Sequence, residues 1–346
     1  MKLKRVTGFD VAVALLVPIM LYYIFHLGIG QNKGTFRRDQ FNLIFDGAVA
    51  AFVFLNGITL GLSMALGEHI ESIRKYFILR GLAFIGIGFL VDLSGMPHIF
   101  TLLGLLSITA SAFIPLSSSL LRVLTTVLLT TAFYFYFLTD NRINIDAIQG
   151  GSLTHYIAHH SVYGYYSLLS WAPFFVGGVL FSRQLLNRHF KPGWSGVKRS
   201  ALIVVVGVLV EIMLSQRFPN LGGEGSSPYP FMQALQFLYP SFTITAFGLS
   251  LVVANVAVAI NEQSESRIKT LLKNYGKVKY SVLLAALFAG WLSALLLAGN
   301  QNFGYRTVAL FTLLVWGITF VGSTVWLRLF STGPVEMLLR AISPGK

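Results

Sequence analysis

The chain has 346 residues, of which 55% are apolar and only 11% are charged. Its net charge of +13 does not indicate nucleic-acid binding, because the basic residues lie mainly in loops between apolar runs. The sequence contains no cysteine, which excludes disulfides, thiolate catalysis and cysteine-ligated iron-sulfur clusters. Composition therefore points to an all-α, polytopic membrane protein.

Hydropathy divides the chain into about ten runs that approach the ~20 residues needed to cross a bilayer. In chain order, the predicted transmembrane helices are 9–28, 43–65, 76–93, 98–116, 119–138, 163–185, 199–215, 233–260, 279–299 and 304–329. The loops between them are too short for an independent soluble domain. We therefore expect a single membrane domain over residues 1–346.

Ten crossings place the two termini on the same side of the membrane. With cytoplasmic termini, 20 Lys and Arg residues fall on the inner side and 6 on the outer side. This distribution follows the positive-inside rule, so we expect cytoplasmic N- and C-termini in a plasma-membrane protein.

A histidine and a carboxylate are expected close together near the outer face. His26 ends the first predicted span, and Asp46 opens the second, about three helical turns before Asn56 and Gly57. A carboxylate can orient an imidazole that acts as a general base. The simpler alternative is an interfacial histidine and a helix-capping aspartate.

Three further charged residues fall within or at the ends of apolar runs. Asp10 begins the first span, where a helix N-terminus tolerates a carboxylate. Arg80 lies near the inner end of the third span and can either extend to the surface or meet an anionic ligand. Glu211, near the outer end of the seventh span, must face protein or water rather than lipid.

A metal site has weaker support. His155 and His159 have the i, i+4 spacing of metal ligands, and Asp146 is a candidate third ligand. The surrounding tyrosine-rich segment is also typical of a membrane-interface belt, and short matches of this kind are unspecific. We therefore expect no bound metal.

Several segments resemble the multispan membrane acyltransferases, specifically the heparan-alpha-glucosaminide N-acetyltransferase group and its bacterial and archaeal relatives. Asp46 followed by Phe52-Val-Phe-Leu-Asn-Gly57 is similar to their second-helix motif. Tyr76-Phe-Ile-Leu-Arg80-Gly81 resembles their Arg-containing third helix, and His98-Ile-Phe-Thr-Leu-Leu-Gly104 the start of the fourth.

The resemblance continues in the C-terminal half. Similar segments are Ser170-Trp171 with Phe175-Val-Gly-Gly178, Tyr239-Pro-Ser241 and Asn274-Tyr-Gly-Lys-Val278. The tail Gly333-Pro-Val-Glu-Met-Leu-Leu-Arg340 resembles that of a related bacterial membrane family. The chain departs from the family in its first helix, where Asp10 is not followed by the Arg of an Asp-x-x-Arg-Gly motif. It also has no histidine between residues 27 and 45, which leaves His26 as the candidate base.

The resemblance implies transfer of an acetyl or similar acyl group from cytoplasmic acyl-CoA to a sugar or glycolipid at the outer face. It implies catalytic roles for His26 and Asp46. Inner-side basic residues would attract the phosphates of the donor, and the candidates are Arg74, Arg80, Lys273, Lys277 and Lys279. For most individual lysines, however, membrane topology alone is a sufficient explanation.

Two other functions fit the same helix pattern. A secondary transporter would use Asp46 or Glu211 at a midplane site coupled to ions or protons. A non-catalytic membrane scaffold would need none of these polar residues. The expected partners are the bilayer, acyl-CoA, a sugar or glycolipid acceptor and, as an open alternative, a second copy of the chain; nucleic acid is not expected.

Overall fold

The computed structural model describes residues 7–29, 38–65, 70–93, 98–113, 115–138, 168–186, 192–217, 230–296 and 304–342. In these ranges the chain forms twelve α-helices and no β-strand. The helices are α1 Thr7–Ile29, α2 Arg38–Ala65, α3 Ile70–Asp92, α4 Phe100–Phe113, α5 Ser118–Leu138, α6 Leu168–Leu185, α7 Trp194–Arg217, α8 Pro230–Glu262, α9 Arg267–Lys277, α10 Lys279–Leu296, α11 Tyr305–Leu329 and α12 Pro334–Ala341.

Each of the ten predicted segments overlaps one helix, so the all-α prediction is confirmed. The third helix differs most at its start, because it begins at Ile70 rather than at residue 76. Hydropathy does not predict α9 and α12, since both are short and alternate apolar with charged residues. These two helices connect or follow the longer ones.

Three helical stretches in the described part of the chain are long and apolar enough to cross a bilayer: Thr7–Phe25, Thr243–Glu262 and Arg306–Leu329. Shorter apolar stretches occur at Gly47–Ser63, Phe100–Phe113, Ser118–Thr131 and Lys279–Ser293. This pattern is that of a membrane protein, while ten crossings and the orientation of the termini remain predictions.

Helix α2 lies at the centre of the packing, in contact with α1, α6 and α8. Its crossing with α6 is close because glycines face backbone on both sides. A Cβ at Gly57 would overlap the carbonyl oxygen of Phe175, and a Cβ at Gly178 would overlap that of Phe54. Small residues at helix crossings are the usual means by which membrane helices approach each other.

The remaining helices surround this centre. The α3–α4 hairpin is joined at another glycine pair, Gly81 and Gly104, each of which faces the backbone of the other helix. Helix α8 contacts α1, α2, α5 and α7, while α1 also contacts α9, α10 and α11. The buried core is therefore built mainly on α1, α2, α4 and α6.

We predict that Gly57→Ala and Gly178→Ala will each destabilise the protein, because the added methyl meets backbone that cannot rotate away. Overpacking of this kind costs about 1–3 kcal/mol. Thermal unfolding in detergent measures the effect. Gly317→Ala in α11 is the matched control, since open space surrounds that position, and its effect should be neutral or stabilising by up to ~1 kcal/mol. Equal behaviour of all three variants would contradict the close crossing.

We also predict that the α8–α9 and α11–α12 connections face the cytoplasm, whereas the C-terminal end of α3 and the start of α11 face outward. Single cysteines at exposed Ser264 and Ser331 should react with an impermeant reagent only from the cytoplasmic side. Cysteines at exposed Leu93 and Gly304 should react only from outside. The cysteine-free chain gives no background labelling, and reaction of all four from one side would refute the topology.

Candidate functional site

Helix ends from distant parts of the chain surround a cleft with a volume of about 650 Å³. Its lining residues come from the start of α1 (Phe9, Asp10), the second half of α2 (Thr59, Leu62, Ser63), the first half of α3 (Tyr76, Arg80), the α9–α10 junction (Gly276, Lys277, Lys279, Tyr280), the α11–α12 connection (Ser331, Thr332) and α12 (Glu336, Leu339, Arg340). The predicted topology assigns all these ends to the cytoplasmic side.

The charge of the cleft favours an anion. Four basic side chains line it, namely Arg80, Lys277, Lys279 and Arg340, against two acidic ones, Asp10 and Glu336. Apolar side chains lie beside these charges, and that combination suits a ligand with both phosphate or carboxylate groups and an apolar part.

A hydrogen-bonded cluster of Arg80, Lys279, Tyr280 and Asn56, the inner cationic cluster, forms the end of the cleft that lies deepest in the protein. The Tyr280 hydroxyl donates to Asn56 Oδ1 at 2.5 Å and accepts from the Arg80 guanidinium at 2.6 Å. Lys279 Nζ donates to the same Asn56 oxygen at 3.0 Å, while Asn56 Nδ2 donates to the Phe52 carbonyl oxygen at 2.8 Å. Asn56 is thus held by its own helix and links α2 to α10, and Tyr280 links α10 to α3.

Aromatic rings complete the surroundings of the two inner cations. The guanidinium carbon of Arg80 lies 5.3 Å from the ring centre of Phe84 and 5.4 Å from that of Tyr280. Lys279 Nζ lies 4.9 Å from the ring centre of Tyr280 and 5.4 Å from that of Phe52. Ring faces attract cations without neutralising them, so the positive charge of the cluster is preserved.

Arg80 therefore faces the cleft rather than extending to the surface. It lies ten residues after the start of α3, which is about 15 Å along the helix. Its Nε is buried and has no hydrogen-bond acceptor among the described residues. The sequence left two alternatives for this residue; its side chain lines the cleft, and its contact with an anionic ligand stays a prediction.

A contact between α1 and α9 shapes the rim of the cleft near Lys277. Gly276 faces the backbone of Asp10 so closely that a Cβ there would overlap the Asp10 carbonyl oxygen. The preceding residue, Tyr275, is buried, and its hydroxyl lies 3.1 Å from Thr319 Oγ1 in α11. Burial raises the pKa of Tyr275 above its ordinary value, so this hydroxyl stays protonated. Together these contacts place Lys277 at the cleft.

Of the five basic residues predicted to bind a donor, the structure brings three together: Arg80, Lys277 and Lys279. Lys273 points elsewhere, with its Nζ 3.6 Å from the Glu265 carboxylate. Arg74 is exposed, and neither residue lines the cleft. These two match the description of basic residues placed by topology alone.

The other predicted site residues lie outside the described side chains. This applies to His26, Asp46 and Glu211, whose helix backbone is described, and to Asp146, His155 and His159, which fall in an undescribed segment. Within the described part of the chain, no group of three or more His, Asp or Glu residues could hold a metal ion. The proposed His26–Asp46 pairing remains a prediction.

A different histidine–carboxylate pair is present between the end of α3 and the start of α4. His98 Nε2 lies 2.7 Å from Asp92 Oδ1, with the His98 side chain buried and the Asp92 side chain one-third exposed. The two residues are only six positions apart in the sequence, which is a signal that sequence reasoning can recognise. The pair joins the end of α3 to the start of α4.

Sequence reasoning did not assign a role in binding to Asn56, Tyr280, Glu336 or Arg340. Asn56, Glu336 and Arg340 belong to sequence motifs that resemble those of the acyltransferases or a related family, without an assigned role. Tyr280 belongs to no recognised motif. Their partners lie far away in the chain: the Asn56–Tyr280 bond joins residues 224 positions apart. No pattern among neighbouring residues in the sequence predicts such a contact.

Comparison with known proteins adds a family match in the C-terminal half. Residues 180–346, which are 167 of the 346 residues, match a family described as a protein of unknown function (DUF418). No curated protein and no solved structure matches the chain. The matched region includes α7 to α12 and hence the α10 and α12 walls of the cleft, so this half of the chain is similar to that family.

Proposed function

We propose that the protein is a membrane-bound acyltransferase of the plasma membrane that binds acyl-CoA in this cleft from the cytoplasmic side. It would transfer the acetyl or similar acyl group to a sugar or glycolipid at the outer face. The observation that carries the proposal is the convergence of Arg80, Lys277 and Lys279 with Arg340 in a single cleft. The sequence resemblance selects acyl-CoA among the anions that such a cleft suits.

The size and lining of the cleft support a donor of this type. Its volume falls within the ~300–1,000 Å³ usual for small-molecule sites. The basic side chains of the cleft would bind the phosphates, and apolar side chains such as Leu62 and Leu339 would contact the less polar parts of the donor. Helix α3 continues from Arg80 for twelve residues to Asp92, about 18 Å. The extended pantetheine arm would run in this direction.

The chemical step would take place near the outer ends of α1 and α2. His26 would remove the proton from the acceptor hydroxyl or amine as that atom attacks the thioester carbonyl. A C–O or C–N bond forms, the C–S bond breaks, and the sulfur leaves as a thiolate that then takes up a proton to give free coenzyme A. Asp46 would orient the imidazole and stabilise its protonated form.

We predict that Arg80→Ala and Lys277→Ala will each weaken coenzyme A binding about tenfold or more. A charge-assisted contact contributes about 1.5–3 kcal/mol, which corresponds to that factor or above. Calorimetry in detergent at fixed salt measures the dissociation constants. Arg74→Ala and Lys273→Ala remove the same charge outside the cleft and should bind like the parent.

These controls separate specific binding from the general attraction of a basic surface. If all four variants lose affinity equally, the effect is long-range electrostatics and the cleft is not the site. If the parent does not bind millimolar coenzyme A, the donor assignment fails and the transporter alternative gains support. Circular dichroism and size-exclusion profiles show that each variant is folded.

We predict that His26→Ala will lower single-turnover acyl transfer about 10²- to 10⁴-fold, because removal of a general base has effects of this size. Rapid-quench measurement with radiolabelled acyl-CoA gives the rate of the chemical step, and coenzyme A affinity should remain that of the parent. Asp46→Asn should lower the same rate with unchanged donor affinity. An unchanged rate in His26→Ala would exclude this residue as the base.

A further inference from the structure

The C-terminal helix α12 is attached to the start of α10 through one carboxylate. Glu336 Oε1 accepts hydrogen bonds from the backbone N–H of Tyr280 at 2.8 Å and of Ser281 at 3.4 Å. Glu336 Oε2 accepts from the Ser281 hydroxyl at 2.5 Å. Ser281 Oγ in turn accepts from the Val335 backbone N–H at 2.9 Å. Four contacts therefore join a segment of two residues in α12 to a segment of two residues in α10.

This arrangement is a helix cap supplied by another helix. The first backbone N–H groups of a helix have no partner within it, and the helix dipole favours a negative charge at that end. A cap normally comes from a residue adjacent to the helix in sequence. Here it comes from Glu336, 55 or more positions away, so formation of the cap requires α12 to be docked. Val335 and Leu339 are buried by the same docking.

The docked helix forms one wall of the cleft, and the capped turn forms another. Lys279 and Tyr280, which belong to the inner cationic cluster, lie in the first turn of α10. Leu339 and Arg340 line the cleft from α12. Glu336 thus joins the turn that carries Lys279 to the helix that carries Arg340.

We infer that Glu336 is a positioning residue for the anionic ligand of the cleft: it fixes the α10 cap and the α12 wall, and it strengthens binding of an anion although it is itself an anion. The inference rests on the proposed function for the identity of the ligand, a phosphate-bearing acyl thioester. Its structural part, docking of α12 by the carboxylate, stands on the contacts alone.

The sign of the effect separates this role from simple electrostatics. If Glu336 acted only as a negative charge among four basic side chains, Glu336→Gln would strengthen anion binding. If it positions the two walls, Glu336→Gln will weaken binding, because an amide presents one acceptor and an unsuitable N–H₂ group to the cap and to Ser281. Loss of hydrogen bonds to a charged group predicts a weakening of about tenfold.

The experiment measures coenzyme A affinity of the full-length protein in detergent. Glu336→Gln should bind about tenfold more weakly and Ser281→Ala should bind more weakly than the parent. Met337→Ala, an exposed position on the same helix, should bind like the parent. In the Glu336→Gln background, a disulfide between Ser281→Cys and Val335→Cys should restore part of the affinity on oxidation and lose it again on reduction. Binding by Glu336→Gln that equals or exceeds that of the parent would overturn the inference.

A second readout does not depend on any ligand. The side chain of Val335 is buried by α12 docking and does not line the cleft, so Val335→Cys should react slowly with a thiol reagent in the parent and several-fold faster in Glu336→Gln. An equal rate in both backgrounds would show that the carboxylate does not hold α12. If the parent fails to bind coenzyme A while the labelling rates differ, the donor assignment fails and the positioning role of Glu336 stands.

Discussion

The hydroxyl of Tyr280 is the contact on which the cationic cleft depends, because it joins three helices through one atom. It donates to Asn56 in α2 and accepts from Arg80 in α3 while its own backbone belongs to α10. Asn56 lies nine residues before the end of α2, about 14 Å along the helix, and its side chain is buried. Cations that contact such a buried group need polar partners. The described partners of Arg80 and Lys279 are phenol groups, an amide oxygen and ring faces, all neutral, so the net positive charge of the cluster is retained.

The first turn of α10 couples this cluster to the C-terminal helix. Its side chains, Lys279 and Tyr280, reach the inner end of the cleft, while its backbone N–H groups bind Glu336. A displacement of α12 would therefore leave the α10 N-terminus without its cap and would move the cluster residues on the same turn. The parts of the site on α2 and α3 belong instead to helices that cross α6 and α4 closely, with glycines against backbone.

The sequence predicts the helices well because long apolar runs have few alternative structures, and it predicts three of the four basic side chains that line the cleft for a related reason. Basic residues beside apolar runs mark one membrane face, which brings Arg80, Lys277 and Lys279 into consideration together. It cannot predict which of them converge. That outcome depends on pairings such as Arg80 with Tyr280, 200 positions apart, and on two short helices, α9 and α12, whose amphipathic patterns give no hydropathy peak.

The contrast between the basic residues also shows where topology stops being a sufficient explanation. A positive charge on the inner face satisfies the positive-inside rule wherever it lies, and exposed Arg74 or Lys273 beside Glu265 does so at little cost. Arg80 and Lys279 satisfy the same rule from partly buried positions among aromatic rings, where desolvation opposes a charge. The positive-inside rule does not require this desolvation cost. A ligand that supplies the missing negative charge would offset it, and for this reason the two inner cations point to a function more strongly than the number of basic residues does.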